Sequence, residues 1–531
     1  MTPTPDPNAR RPVTYDRATT ERLLYRRQFV LGPRTVEGFP TWQSLALDRG
    51  LHLTVHPDLA VTRAAKGGRS IVLLGYVLDP ARPAAGDAEI VAALLDRLVA
   101  GDDLLRATAP LGGRWVLIVN DGARSILFAD AGGLRQVAYA VGAKPGQPWC
   151  ASQPGLLAEV FGAPRDPDAS AFLAAIEPGR HAGMVWFPGD TTPFAGIRAL
   201  LPNHVLDLCS GRATRYWPDA DLPATTRRAA IAEGARTLAA LSAAADRRFP
   251  LMLAMTAGWD SRMALASTRA MAGRLFYYSL LFGDKPRDDP DVTAPVQLMA
   301  RLGLEHAIID RKDAVDEGFA AVYRRNIVPG YPPNCAAVQA LLEDTPAEGV
   351  IVSGDAGEIP RFDWAMRRLD GPGVTPRDLA DASRLPPHPF VLRAFGEWLE
   401  GARAARRNVS LRHLFGWEQE AGRLQSMLLS ELDVARDAFA PMNCRSLLET
   451  LLAVPVRYRE EPTYYLFRGM IRRMWPETLA VPINARPQVG AEALLRRTLD
   501  GMHLVRLVPR PVKQLAKRLL GLAGSATSLE R

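Results

Sequence analysis

The sequence predicts a two-domain protein. An antiparallel α+β domain comes first, then an α/β domain on a doubly wound parallel sheet with a helical C-terminal part. Three observations predict this. In the first ~215 residues, apolar strands are joined by "NDGA" and "DAGG", both hairpin punctuation. From Thr225 onward, short apolar runs alternate with helical stretches, the pattern of parallel strands buried on both faces. The length, 531 residues, exceeds what one ordinary core serves.

The elements follow in order. Residues 1–20 begin "MTPTPDPNARRPV", polar and proline-rich, and read as a disordered leader without the apolar core of a secretory signal. In 21–218, "RSIVLLGYVLDP" is a strand ending in a turn, and "RWVLIVNDGARSILFADAGGLRQVAYAV" supplies three more. "DAEIVAALLDRLVAG" is a helix between them. The second domain, 225–490, opens on a capped helix, "TTRRAAIAEGARTLAALSAAADRR". The runs "LMLAM", "LFYYSLLF", "HAIID" and "GVIVS" follow as strands, and ~395 to ~485 is helix-rich. In the basic tail, 491–531, Val512, Leu515, Ala516, Leu519 and Leu520 recur at helical spacing opposite Lys513, Lys517 and Arg518. That face suits docking on the chain's own domain or weak contact with an anionic membrane surface.

Composition narrows the function classes. With 47% hydrophobic and 23% charged residues, the chain reads as globular, and no apolar run reaches the roughly 18 residues of a membrane span. A cytoplasmic location is expected. The net charge of +8 is spread along the chain and forms no nucleic-acid-reading motif. Cys150, Cys209, Cys335 and Cys444 lack zinc or disulfide spacing and read as buried or incidental thiols. A homodimer is compatible with all of this.

The chemistry concentrates in "LMLAMTAGWDSRMALAST". In an open parallel sheet, ligands sit at the carboxyl ends of strands. The strand 251–255 delivers Thr256, Ala257, Gly258, Asp260 and Ser261 to that edge, where a helix begins. Small residues let backbone N–H groups approach a phosphate, helped by the helix N-terminus and two hydroxyls. An acid there repels a polyphosphate unless Mg²⁺ lies between them, so Asp260 points to a metal-bound nucleotide. The alternative is an ordinary strand-to-helix turn with Asp260 as a cap. Trp259 reads as packing beneath the loop.

These residues resemble the pyrophosphate-binding loop Ser/Thr-Gly-Gly-x-Asp-Ser of the ATP pyrophosphatase (adenine nucleotide α-hydrolase-like) superfamily, with Ala257 replacing the first glycine. The extension "DSRMALA" is most similar to the asparagine synthetase-like family. "FYYSLLFGD" resembles that family's second strand, which places Ser279 near the adenosine. "DPDVTAPVQLMARLGLEHAIID" resembles the following helix and strand, with Asp291 and His306 at characteristic positions. "IVSGDAGEIPR" resembles the second signature loop: Gly354 falls in its glycine-rich part, Asp355 where the family has a glutamate near the reacting amine, and Glu358 where it has a metal-binding aspartate. "LGGRWVLIVNDGARSILFADAGGLRQVAYA", "WCASQPGLLAEV" and "TTPFAGIRALLPNHVLDLCSGRATRYWP" resemble the family's N-terminal class II glutamine amidotransferase domain, of the Ntn type.

The resemblance implies an ATP- and Mg²⁺-dependent carbon–nitrogen ligase that adenylates a carboxylate, releasing AMP and pyrophosphate, and passes it to ammonia or an amine. Its acid could be aspartate, a sugar acid or a peptide precursor, as in lasso-peptide cyclases and β-lactam synthetases. Asp260 and Glu358 would share Mg²⁺, and Asp355 would take the amine's proton. Two departures matter. Glutamine-using members carry Cys at position 2, whereas this chain has Thr2, so glutamine hydrolysis is not expected. No Lys occurs between Lys312 and Lys513, where the family places one against the triphosphate; Arg423, with Arg412 or Arg407 as alternatives, falls nearest. The alternatives are a degenerate nucleotide-binding scaffold or, less well matched, a tRNA-thiolation branch.

Overall fold

The computed structural model describes residues 13–142, 144, 146–176, 184–282, 285–361, 369–371, 373–461 and 463–484. Thr2 and the tail helix expected within 491–531 lie outside the described residues. The residues through Val481 form one compact unit.

The leader expected over 1–20 gives way to a helix, Arg17–Leu23, capped by Asp16, whose carboxylate accepts from Thr19 N–H at 2.8 Å. Tyr15 already donates to Glu343 at 2.8 Å. This correction has a local cause, the N-cap aspartate set directly before a helix-forming run.

Among the described residues, the first half contains twelve strands in two six-stranded antiparallel sheets. They are β1 (Phe29–Gly32), β2 (Gln43–Ala46), β3 (His52–Val55), β4 (Val61–Lys66), β5 (Arg69–Leu78), β6 (Gly112–Asn120), β7 (Ser125–Ala129), β8 (Ala138–Ala140), β9 (Cys150–Ala151), β10 (Ile197–Ala199), β11 (His204–Asp207) and β12 (Arg212–Arg215). One sheet runs β10-β8-β9-β1-β3-β2 and the other β12-β11-β7-β6-β5-β4. Strand periodicity explains their stacking. Phe29, Leu31, Leu53, Val72, Leu74, Val116 and Ile118 face one another across the gap. The alternate residues, Ile71, Leu73 and Leu117, turn outward against the helix Asp87–Ala100. Val30, Ala138 and Ala151 meet the helix Pro154–Phe161 on the opposite side. The result is four layers, helix–sheet–sheet–helix.

The second half is built on a five-stranded parallel sheet of β13 (Leu251–Ala254), β14 (Phe276–Leu280), β15 (Ala307–Ile309), β16 (Val350–Val352) and β17 (Ala438–Phe439), in the order β15-β14-β13-β16-β17. The chain steps outward from β13 to β15, then returns to lay β16 on the other side of β13. That reversal makes the carboxyl ends of β13 and β16 a topological switch point, the place where doubly wound sheets bind ligands.

Buried charge and hydrogen bonds join the antiparallel layers to the parallel sheet. Arg114 on β6 pairs with Asp433 and Asp437, just before β17. Tyr76 on β5 donates to the carbonyl of Ala438. Asn443 donates to Gly113 O at 2.8 Å and to Asp130 at 2.9 Å. The four cysteines are free, and Cys150, Cys335 and Cys444 are buried. Among the described residues, no helix is long and apolar enough to cross a membrane.

Candidate active site

The loop after β13 folds around one hydroxyl. Ser261 Oγ lies 3.0 Å from Thr256 Oγ1, accepts from Thr256 N–H at 3.3 Å, and is 3.1 Å from the Thr256 carbonyl. Gly258 N–H donates to Thr256 Oγ1 at 3.2 Å, and Ala257 N–H to Asp291 at 3.1 Å. Lys285 holds that Asp291 in an ion pair. Gly258 then caps the helix Trp259–Ser267 with an extended backbone. Ala257 is buried and is absent from the residues with positive φ, so its methyl group creates no backbone strain.

The loop after β16 lies against this one. A Cβ on Gly354 would fall 2.5 Å from the Asp260 Cβ and 2.8 Å from its backbone carbon. A Cβ on Gly357 would fall 2.5 Å from Asp260 Oδ1. Only glycine permits this approach. Ala356, between them, takes a left-handed φ of 64° and donates its N–H to Gln425 at 2.9 Å.

Three carboxylates therefore converge from two loops. Burial pushes Asp260 up to about 7, and the negative charges of Glu358 and Asp355 add to that against the pull of Arg361. Burial likewise raises Asp355 to about 6, with Glu358 adding to it and Arg114 opposing it. Arg361 is the counter-ion: its Nη2 donates to Asp260 Oδ2 at 2.6 Å and to Glu358 Oε1 at 3.0 Å. Its guanidinium also lies 6.0 Å from the ring centroid of Tyr464.

Among the described residues, no group of three or more His, Cys, Asp or Glu is set to hold a metal ion. The donor chemistry at Asp260 and Glu358 nevertheless fits Mg²⁺. In nucleotide sites that ion is held by one or two carboxylates, with phosphates and water completing the shell. One cation already bridges the two carboxylates here.

Other expected residues fall elsewhere. Ser279 is buried on β14, donating to Met255 O at 2.8 Å with its Oγ 3.2 Å from His306 Nε2. Burial lowers His306 to about 4, which keeps that imidazole neutral at physiological pH. Trp259 packs on Tyr464 at 5.1 Å between centroids. Arg423 turns away from the carboxylates and donates to the carbonyls of Phe187, at 3.3 Å, and Thr191, at 2.7 Å. The reason is helical phase. Gln425, two positions later on the π-helical stretch Gly416–Gln425, faces the second loop, and residues two apart on a helix point in nearly opposite directions. Arg412 is buried beside Asp370, and Arg407 is exposed.

Sequence reasoning missed Arg361 and Gln425. Arg361 closes the quoted stretch "IVSGDAGEIPR", three residues after Glu358, a spacing that favours an ion pair within one turn. Nothing in the sequence marks Gln425.

No protein-family model matches the chain, and no curated protein matches it. Among solved structures, a glutamine phosphoribosylpyrophosphate amidotransferase from B. subtilis, complexed with ADP and GMP, aligns at 10% identity over 64% of this chain and 71% of its own, with a TM-score of 0.19. A structure described as the allosteric regulatory enzyme of purine biosynthesis aligns at 12% identity over 64% of this chain and 77% of its own, with a TM-score of 0.22. Likenesses this slight leave the architecture to stand on its own strand order.

Proposed function

We propose that the chain is an ATP-dependent, AMP-forming carbon–nitrogen ligase of the asparagine synthetase-like type, its antiparallel layers an amidotransferase-type domain. The supporting observation is the meeting of Asp260 and Glu358 at the crevice between β13 and β16. The paired carboxylates of Asp260 and Glu358 disfavour a bare triphosphate, and a divalent ion reverses that balance.

In this reading the loop 256–261 holds the β- and γ-phosphates through its backbone N–H groups, and Thr256 and Ser261 donate from their hydroxyls. Asp260 and Glu358 would hold Mg²⁺, which would supply neutralisation of phosphate charge. The substrate carboxylate attacks the α-phosphorus and pyrophosphate leaves. Ammonia or an amine then attacks the acyl carbon, and AMP leaves. Asp355, raised to about 6, is suited to accept the amine's proton near neutral pH.

A second reading, a nucleotide-binding scaffold without turnover, is favoured by the Arg361 bridge and by loop N–H groups already satisfied within the protein. One experiment separates the two. Purified protein is incubated with ATP, Mg²⁺ and panels of acids and amines while AMP and pyrophosphate are measured. The ligase reading expects both products in equal amounts with at least one acid, and their loss in Asp260→Asn. Nucleotide binding with no pyrophosphate from any acid favours the scaffold.

A further inference from the structure

Arg361 does more than balance charge. Asp260 reaches the crevice from the loop after β13, and Glu358 reaches it from the loop after β16. One nitrogen, Arg361 Nη2, donates to both, at 2.6 Å and 3.0 Å. A metal ion held between the loops would draw on the same two carboxylates. The guanidinium is itself well sheltered, at 13% exposure, whereas Glu358 is half exposed. Arginine remains charged throughout the physiological range, so this cation cannot be discharged by a change of pH.

We propose that Arg361 is a placeholder cation: it holds the Asp260–Glu358 pair closed to free divalent metal, and it gives way only when metal arrives together with a polyphosphate. This rests on the ligase or nucleotide-binding reading of the same crevice. A lone divalent ion must break two charge-assisted hydrogen bonds and approach a fixed positive charge. A metal–triphosphate complex meets neither obstacle alone. Its metal satisfies the carboxylates, and its phosphate oxygens accept from the displaced guanidinium. Metal and nucleotide binding thereby become mutually dependent, each raising the affinity for the other by the same factor.

The test is Mn²⁺ binding to the full chain without nucleotide, followed by electron paramagnetic resonance of the free ion. Wild type is expected to leave millimolar Mn²⁺ essentially free. Arg361→Ala is expected to bind one Mn²⁺ at least tenfold more tightly, and Arg361→Ala combined with Asp260→Asn to lose that gain. Arg361→Lys, which keeps the charge, is expected to stay close to wild type. Arg361→Gln, neutral and similar in shape, serves if the alanine variant folds poorly, with circular dichroism as the check. Should the neutral variants bind Mn²⁺ no more tightly than wild type, the placeholder role is wrong, whether or not the protein forms AMP. If the tenfold gain appears but no acid yields pyrophosphate, the ligase reading falls and the placeholder stands.

Discussion

Arg114 and Asp433 form a buried two-bond ion pair, Nη1 to Oδ1 at 2.5 Å and Nη2 to Oδ2 at 2.8 Å, that ties β6 to the segment leading into β17. Both side chains are almost wholly enclosed, at 2% and 7% exposure. Removing Asp433 deletes both bonds and leaves Arg114, away from water, with Asp437 as its remaining counter-ion. Asp433→Ala is therefore expected to cost about 3–5 kcal/mol in urea denaturation. Arg114→Met with Asp433→Leu, which removes both of these charges but leaves Asp437 to its pairing with Arg135, is expected to recover part of that loss.

The neighbouring Asp437 sets the acid limit. Burial opposes its charge, but Arg135 and Arg114 prevail and hold it down at about 2. A carboxylate held below its ordinary value of 3.8 contributes stability above that value and loses it as pH falls toward 2. The contribution is about 2 kcal/mol. Asp437→Asn is expected to flatten stability between pH 4 and pH 2, as read by thermal unfolding, while wild type declines steeply there.

Asp260 has the opposite sign. Its carboxyl is raised to about 7, so the folded protein binds a proton that the unfolded chain releases near pH 4. Stability from this group is full below pH 4 and falls as pH rises toward 7. Asp260→Asn removes the penalty. Its melting temperature relative to wild type is expected to climb between pH 5 and pH 8, by the equivalent of about 1–3 kcal/mol. A flat difference across that range would contradict the burial of this carboxylate.

Gly354→Ala tests the closeness of the two loops. The added methyl carbon meets the backbone of Asp260 at 2.8 Å, and no flexible side-chain end is there to yield. A cost of about 1–3 kcal/mol is expected in urea denaturation and, on the proposed ligase reading, loss of nucleotide binding by calorimetry.

Arg423→Ala separates a structural arginine from a catalytic one. Its guanidinium is bonded to the carbonyls of Phe187 and Thr191. The unfolding free energy in urea denaturation is expected to fall by about 1–3 kcal/mol, and any pyrophosphate release to keep its kcat/KM.

The parallel sheet was legible because strands buried on both faces are continuous apolar runs; β13, β14, β15 and β16 each lie within a segment expected from that pattern. β17 was not legible. It is two residues long, Ala438–Phe439, and exists because Ser353 N–H donates to Phe439 O and Tyr76 to Ala438 O. The loops 256–261 and 354–358 were readable because glycine, hydroxyl and acid at strand ends are chemically conspicuous. Arg361 and Gln425 acquire their positions from a turn and a π-helical phase, neither of which periodicity reveals. The composition of the first half conveyed antiparallel strands but not their division into two sheets, since which apolar face meets which is a long-range fact.

The strand order also has a consequence for biosynthesis. Leu251 and Val350 become side-by-side neighbours, yet about a hundred residues separate their departures from the ribosome. During that interval the first half of the crevice is translated without its opposing wall. A ligand held between the two loops, as proposed above, would therefore not help to fold the early chain, and would stabilise only a polypeptide whose later strands have already threaded into place.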